Sequence, residues 1–234
     1  MKLTIFKILV FSIIFSSCKK GTPSLGSDVL DWKATSKSTD FWDYSAFIQK
    51  YPESTLFDTA LSSYFHVRDA AWEEDGMPIV DCFRNCADIR IMNDDNLLFE
   101  NEKCKIESLR KLAFEFILNE EKDINKPETK SYKIPGTNQD GEMNIGIFWI
   151  HIMNEKQQNH NVQRVVSELV KGINDYKNHV EKQWYGTNPS ETSKAVIDSL
   201  NANRLFFWGF DGEPFPTPPP MPENIDEITR IIEN

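Results

Sequence analysis

The sequence predicts an α+β fold: a small mixed sheet, made of a hairpin plus one or two further strands, packed with helices and preceded by an N-terminal helical hairpin. Three observations carry the prediction. Apolar residues recur at helical spacing over residues 39–78, and the period changes to two over residues 87–92 and 97–99. A dense β-branched and aromatic run at 145–152 then precedes the longest helical pattern, at 162–184. Aromatic residues make up 12% of the chain, enough to build a core.

Taken in order, Lys2 and Lys7 precede and enter an apolar segment whose central run, residues 8–15, is too short to span about 30 Å of hydrocarbon; Ser16 and Ser17 follow. A positive region, a short apolar run and a small-residue site are the parts of a secretory signal. Cys18, directly after the small pair, resembles the lipobox of bacterial lipoproteins, with Phe15 where leucine is usual. The resemblance implies a signal peptide over 1–17, acylation of Cys18 and a lipid-anchored protein of the cell envelope facing the periplasm, on either membrane. The competing reading is an ordinary signal peptide cut near Ser17. Residues 18–38, rich in Gly, Ser, Thr and Lys, read as a lipidated flexible tether.

Over 39–78, Phe41, Tyr44, Phe47 and Ile48 trace one helix, and Leu56, Ala60, Tyr64, Val67 and Ala71 a second, with Pro52 marking the break. The turn resembles that of a tetratricopeptide-type hairpin. No second copy follows at the expected period of about 34 residues, so this hairpin must bury its apolar face on something else.

In the region 86–209, Ile89 and Ile91 share one strand face, residues 93–96 supply a turn around Asp94 and Asp95, and residues 97–99 return as the second strand of a β-hairpin. Ile106, Leu109, Leu112, Ala113, Phe116 and Ile117 trace a helix ending near Asn119. Residues 120–142 are charged and contain Pro127, Pro135-Gly136 and Asp140-Gly141, the marks of a long surface loop. Residues 145–152 read as a buried strand and 162–184 as the longest helix. Asn188-Pro189 opens a shorter helix carrying Val196 and Leu200, and residues 205–208 form a final strand. In the tail, 210–234, Pro214, Pro216, Pro218, Pro219, Pro220 and Pro222 make an extended polyproline segment. Ile225, Ile228, Ile231 and Ile232 follow as a short amphipathic run suited to docking on the chain's own domain or on a partner.

With 26 Lys and Arg against 36 Asp and Glu, the formal charge is −10, and loss of Lys2 and Lys7 with the signal makes the chain more acidic still. Such a surface repels phosphate backbones and anionic headgroups, so no nucleic acid is expected and the membrane is reached through the lipid on Cys18. Cys82 and Cys86 have the spacing of one helix face, while Cys86 and Cys104 flank the hairpin, so a disulfide from Cys104 to Cys82 or Cys86 is expected. Their spacing does not fit a zinc site. His66, His151, His160 and His179 belong to no catalytic motif. Glu73-Glu74-Asp75 and Asp94-Asp95 read as a helix end and a turn. Residues 138–141 suggest a calcium loop only in a register that puts Ile147 where the closing glutamate belongs. The expectation is a non-enzymatic protein with no metal and no cofactor.

Several stretches, Asp88-Ile-Arg-Ile-Met-Asn93, Leu97-Leu-Phe-Glu100, residues 109–119, Lys126-Pro-Glu128, residues 162–169 and Trp184-Tyr-Gly186, occur in an order and spacing that resemble the periplasmic domain of ExbD/TolR-type biopolymer-transport proteins of the Bacteroidota kind. The resemblance covers about half the chain. It implies a small α+β domain that self-associates and works with a proton channel and a TonB or TolA partner. One departure stands out: those proteins carry a transmembrane helix with a buried aspartate, whereas the apolar segment here has no acidic residue and ends on Cys18. The implied role is a tethered adaptor for TonB/Tol-type energy transduction or biopolymer transport, with envelope partners of the TonB/ExbB type or a second copy. Arg164, Glu168, Lys171 and Asp175 on the long helix, together with the sheet edge, are the candidate interaction surface. The alternatives are an outer-membrane assembly scaffold acting through the 39–78 hairpin and a periplasmic hydrolase with an unrecognised site.

Overall fold

The structure is a computed structural model and describes residues 26–76, 83–92, 97–152, 159–187 and 189–208. Cys18 and the rest of the signal region, Cys82, the turn at Asp94-Asp95 and the proline-rich tail lie outside the described residues.

Five strands form one mixed sheet. β1 (Cys86–Ile91), β2 (Leu97–Phe99) and β3 (Glu102–Cys104) are successive antiparallel neighbours, and β6 (Ile147–Ile152) and β7 (Leu205–Trp208) add in parallel, giving the order β3-β2-β1-β6-β7. A parallel neighbour needs a long crossover, and the one from β6 to β7 holds α5 (Asn159–Tyr185) and α6 (Glu191–Leu200). The α+β class, the mixed sheet and the N-terminal helices expected from the sequence are present.

The alternation of β1 and β6 decides which face is core. Ala87, Ile89, Ile91, Phe148, Ile150 and Ile152 are buried with α4 (Leu109–Leu118) and α5, joined by ring contacts of Phe116 with Phe99 and Phe148 at 6.2 and 5.8 Å. Each buried isoleucine or phenylalanine contributes about 1.5–3 kcal/mol, and Ala87 less. α4 and α5 approach closely at Gly172, where a Cβ would stand 2.5 Å from the Arg110 carbonyl and 2.8 Å from the Ala113 Cβ. Arg110 then clasps Asp175 with two hydrogen bonds, at 2.7 and 2.9 Å.

Three sequence expectations are corrected. Residues 120–142 are not simply a surface loop: β4 (Thr129–Lys133) and β5 (Asp140–Asn144) pair as an antiparallel ribbon. Four of the five β4 side chains are exposed, so the strand has no apolar alternation to reveal it. Within the segment read as tether, α1 (Ser27–Thr35) is a helix. Alone it is too short to be stable, but Trp32 packs 5.2 Å from Phe47 and 6.1 Å from Tyr44, while Asp28 and Asp31 accept hydrogen bonds from Ser54, Lys50 and Tyr51.

The third correction concerns the disulfide. Cys104 is a free thiol and Cys86 is disulfide-bonded, so the expected bridge between them does not form. Glu100 and Asn101 both adopt positive φ, 52° and 67°, the two-residue turn that reverses a hairpin, and this adds β3. Cys104 is thereby carried to the level of Leu97 and Ile91, whereas Cys86 lies at the other end of β1. Five residues along the strand and two strand spacings across put their Cα atoms roughly 19 Å apart, far beyond the ~7 Å limit for a disulfide. The other alternative involves Cys82, outside the described residues, and Cys104 pairs with neither.

Candidate functional site

The two edges of the sheet are treated differently. α2 (Phe41–Lys50) and α3 (Phe57–Asp75), the helical hairpin, lie along β7 and occupy its outward main-chain groups. Ser45 Oγ donates to the Leu205 carbonyl at 2.5 Å, the Phe207 N–H donates to the Tyr64 hydroxyl at 3.2 Å, and Arg68 Nη1 donates to the Phe207 carbonyl at 3.0 Å. Gln49 extends the row, accepting from the Arg204 N–H at 2.9 Å and donating to the Asn201 carbonyl at 2.7 Å. An edge strand left bare is a template for pairing; here side chains stand in for the missing strand. Burial holds the Tyr64 hydroxyl proton far above the ordinary tyrosine range. Arg68 is buried, lies over the rings of Phe65 and Trp72 at 4.7 and 4.2 Å, and pairs with Asp69.

Just before β7, Arg204 is 4% exposed and donates to Asn201 Oδ1 at 2.8 Å and to the carbonyls of Gly146 and Asn144 at 2.5 and 2.9 Å. Burial pushes its guanidinium down to about 10, so it stays charged at neutral pH. Among the described residues no carboxylate pairs with it; carbonyl oxygens compensate the charge instead.

The opposite edge is β3. Among the described residues no strand pairs with its outer side. A cavity of about 850 Å³ runs between β3 and α4, lined by Phe99, Lys103, Cys104, Leu112 and Phe116 among others. Burial raises the Cys104 thiol, which makes it a poor nucleophile at neutral pH.

The helix-surface residues expected from the sequence divide three to one. Arg164, Glu168 and Lys171 line a second groove of about 420 Å³ with Glu53, Ile106 and Glu107; Lys171 lies 2.7 Å from Glu168, and Arg164 lies 3.6 Å from Glu107. Asp175 is drawn away from them into the Arg110 clasp.

The sheet face away from α4 and α5 was missed in the sequence. Asp88, Arg90, Trp149, His151, Phe206 and Trp208 sit there in register, and all but Phe206 are half-buried. Arg90 pairs with Asp88 at 2.7 Å, and His151 Nε2 lies 3.1 Å from the other Asp88 oxygen. The Asp88 N–H donates to Glu100 at 2.5 Å, and burial together with the Asp88 charge raises the Glu100 carboxyl despite that bond. The signal was present: Asp88, Arg90, Trp149 and His151 occupy alternate positions of their strands, a pattern obscured because residues 145–152 read as buried throughout. His66 and His179 are exposed on α3 and α5, away from this cluster, and the His160 side chain lies outside the described set.

Among the described residues no helix is long and apolar enough to cross a membrane, and no group of three His, Cys, Asp or Glu side chains could hold a metal ion. No protein-family model matches the chain, and no curated protein or solved structure matches it.

Proposed function

We propose that this chain is a non-enzymatic, lipid-anchored adaptor of the bacterial envelope, facing the periplasm, which captures an extended segment of a partner protein along β3. The observation that carries this reading is the asymmetry of the sheet: β7 is sealed by Ser45, Gln49, Tyr64 and Arg68, whereas β3 is left with an apolar-floored groove beside it. Strand addition supplies affinity through main-chain hydrogen bonds and specificity through pockets for alternate side chains. Lys103, exposed on β3, guards an edge that has no partner strand among the described residues against indiscriminate pairing without closing it. The anchor rests on Cys18 and its preceding segment. The assignment of the partner to TonB/ExbB-type components, and of the role to energy transduction or biopolymer transport, rests on the sequence resemblance.

A photoreactive amino acid replacing Lys103 in intact cells tests the reading. The expected product is a cross-link to an energy-transduction component of the envelope. Capture of porin-type proteins alone refutes that partner, and capture of a second copy alone replaces it with self-association. In parallel, Cys18→Ala should abolish lipid labelling and release the protein from membranes; retained labelling refutes the anchor.

A further inference from the structure

We infer that the segment captured along β3 runs antiparallel to it and presents, in N-to-C order, a large apolar residue opposite Cys104, an acidic residue opposite Lys103 and a basic residue opposite Glu102. The inference rests on the strand-capture reading and names what that edge selects. Main-chain direction decides the centre of the contact. The Glu100 N–H donates to the Asp88 carbonyl at 2.8 Å, so Glu100 and, by alternation, Leu98 turn their main-chain groups toward β1, while Leu97 and Phe99 turn theirs toward β3. Their partners Cys104 and Glu102 therefore face β2, and Lys103 alone in this three-residue strand points its N–H and carbonyl outward. One incoming antiparallel residue can exchange both bonds with Lys103, and antiparallel pairing is the more stable per residue.

Side chains then fix the chemistry at each position. Cys104 and Glu102 stand opposite Leu97 and Phe99, which are buried on the α4 side, so the residues flanking the central one project into the groove of about 850 Å³. Leu112, Phe116 and Phe99 give that groove an apolar floor, which suits a large apolar side chain beside the uncharged Cys104. Lys103 stands opposite Leu98 and points to the other face, where Arg90 is already held by Asp88 at 2.7 Å. Among the described residues no carboxylate pairs with Lys103 and no cation pairs with Glu102, and both are exposed. Opposite charges across a strand pair stabilise it, and like charges directly opposite destabilise it. An acidic residue is thus selected opposite Lys103, and a basic one opposite Glu102. The same rule disfavours a second copy of this chain, because pairing centred on the one outward residue would set Lys103 against Lys103. Lys105, Lys126, Glu115 and Asp123 also line the groove, charges of both signs that give no net preference.

The test titrates the full chain with fluorescein-labelled peptides and follows their anisotropy. The reference peptide is Thr-Thr-Leu-Glu-Arg-Thr-Thr-amide; one variant carries Lys in place of the central Glu, and another the reversed core Arg-Glu-Leu. The reference should bind at least about fivefold more tightly than either. Lys103→Glu, an exposed change whose fold is checked by circular dichroism, should reverse the preference between the Glu-centred and Lys-centred peptides. Benzoylphenylalanine in place of the peptide leucine locates the site, with cross-links expected on the α4 peptide that holds Leu112 and Phe116. Equal affinities with those cross-links retained, or a preference that Lys103→Glu does not reverse, overturn the selectivity and leave strand capture standing. Tight binding of the reversed core overturns the antiparallel order. Cross-links only elsewhere, or no binding by any of the peptides, overturn both the selectivity and the capture along β3.

Discussion

Tyr64 on α3 accepts the main-chain N–H of Phe207 at 3.2 Å, across 143 residues of sequence. Through this bond and its neighbours the helical hairpin closes a sheet edge, so its first role is structural: it does for β7 what a sixth strand would do. The hairpin buries its apolar face on the same strand, with Tyr64 and Phe207 rings 5.3 Å apart.

Tyr64→Phe keeps the ring packing and removes the acceptor. An orphaned buried N–H costs about 1–3 kcal/mol, so urea denaturation should show a loss of that size with an unchanged slope. Ser45→Ala, which orphans the Leu205 carbonyl, should act in the same direction. An unchanged midpoint in both would mean that water reaches this edge.

The same tyrosine predicts a response to alkali. Burial raises the hydroxyls of Tyr64, Tyr176 and Tyr44 in the folded state. Their contribution is therefore fully present below the unfolded value of about 10 and is lost as pH rises beyond it. Stability should fall steeply above about pH 10, with the tyrosinate absorbance of these residues appearing together with loss of tertiary signal. Tyr64→Phe should flatten that fall; tyrosinate appearing fully in a still folded protein would contradict the burial.

Arg204→Met removes the donor shared by Asn201, Gly146 and Asn144. Loss of about 2–4 kcal/mol in thermal or urea unfolding is expected, because buried oxygens are left without partners. Lysine at this position should recover only part of the loss, since it lacks the planar fork that reaches three acceptors.

Gly172→Ala sets two effects against each other. Alanine favours a helix interior over glycine by about 1 kcal/mol, but the added methyl would meet the Arg110 carbonyl at 2.5 Å. Backbone cannot yield as a flexible side chain can, so the clash wins, with a net loss of about 1–3 kcal/mol. A stabilised variant would show that α4 and α5 can separate without cost.

The cysteines give a chemical check on topology. Cys104 should be alkylated in the unreduced, unfolded protein, whereas Cys86 should require prior reduction, as read by peptide mapping. In the folded protein Cys104 should react slowly, because burial keeps its thiol protonated. Recovery of a Cys86–Cys104 peptide would overturn the strand arrangement that keeps them apart.

Local pattern was enough for the elements that bury a regular face. α5 shows its helical period through Val162, Val166, Leu169, Ile173, Tyr176 and Val180, all buried, and β1 shows its alternation through Ile89 and Ile91. It was not enough for β4, whose exposed positions carry no apolar signal, or for α1, which depends on Trp32 finding Tyr44 and Phe47. The half-buried face was obscured at Trp149 and His151, where large rings in a hydrophobic run read as core. Of the surface residues expected on α5, Arg164, Glu168 and Lys171 share a groove, but nothing in the spacing showed that Arg110 would take Asp175.

The sequence by itself determined the α+β class, the existence of the buried strand around Ile147–Ile152 and of the longest helix, because hydrophobic periodicity is a local property of consecutive residues. Only the tertiary structure decided which sheet edge is sealed and which has no partner strand among the described residues, that Cys104 stands far from Cys86, and that aromatic side chains gather on the second face. Those are relations between residues as distant in the chain as Ser45 and Leu205, set by strand order and register, and no local pattern encodes them.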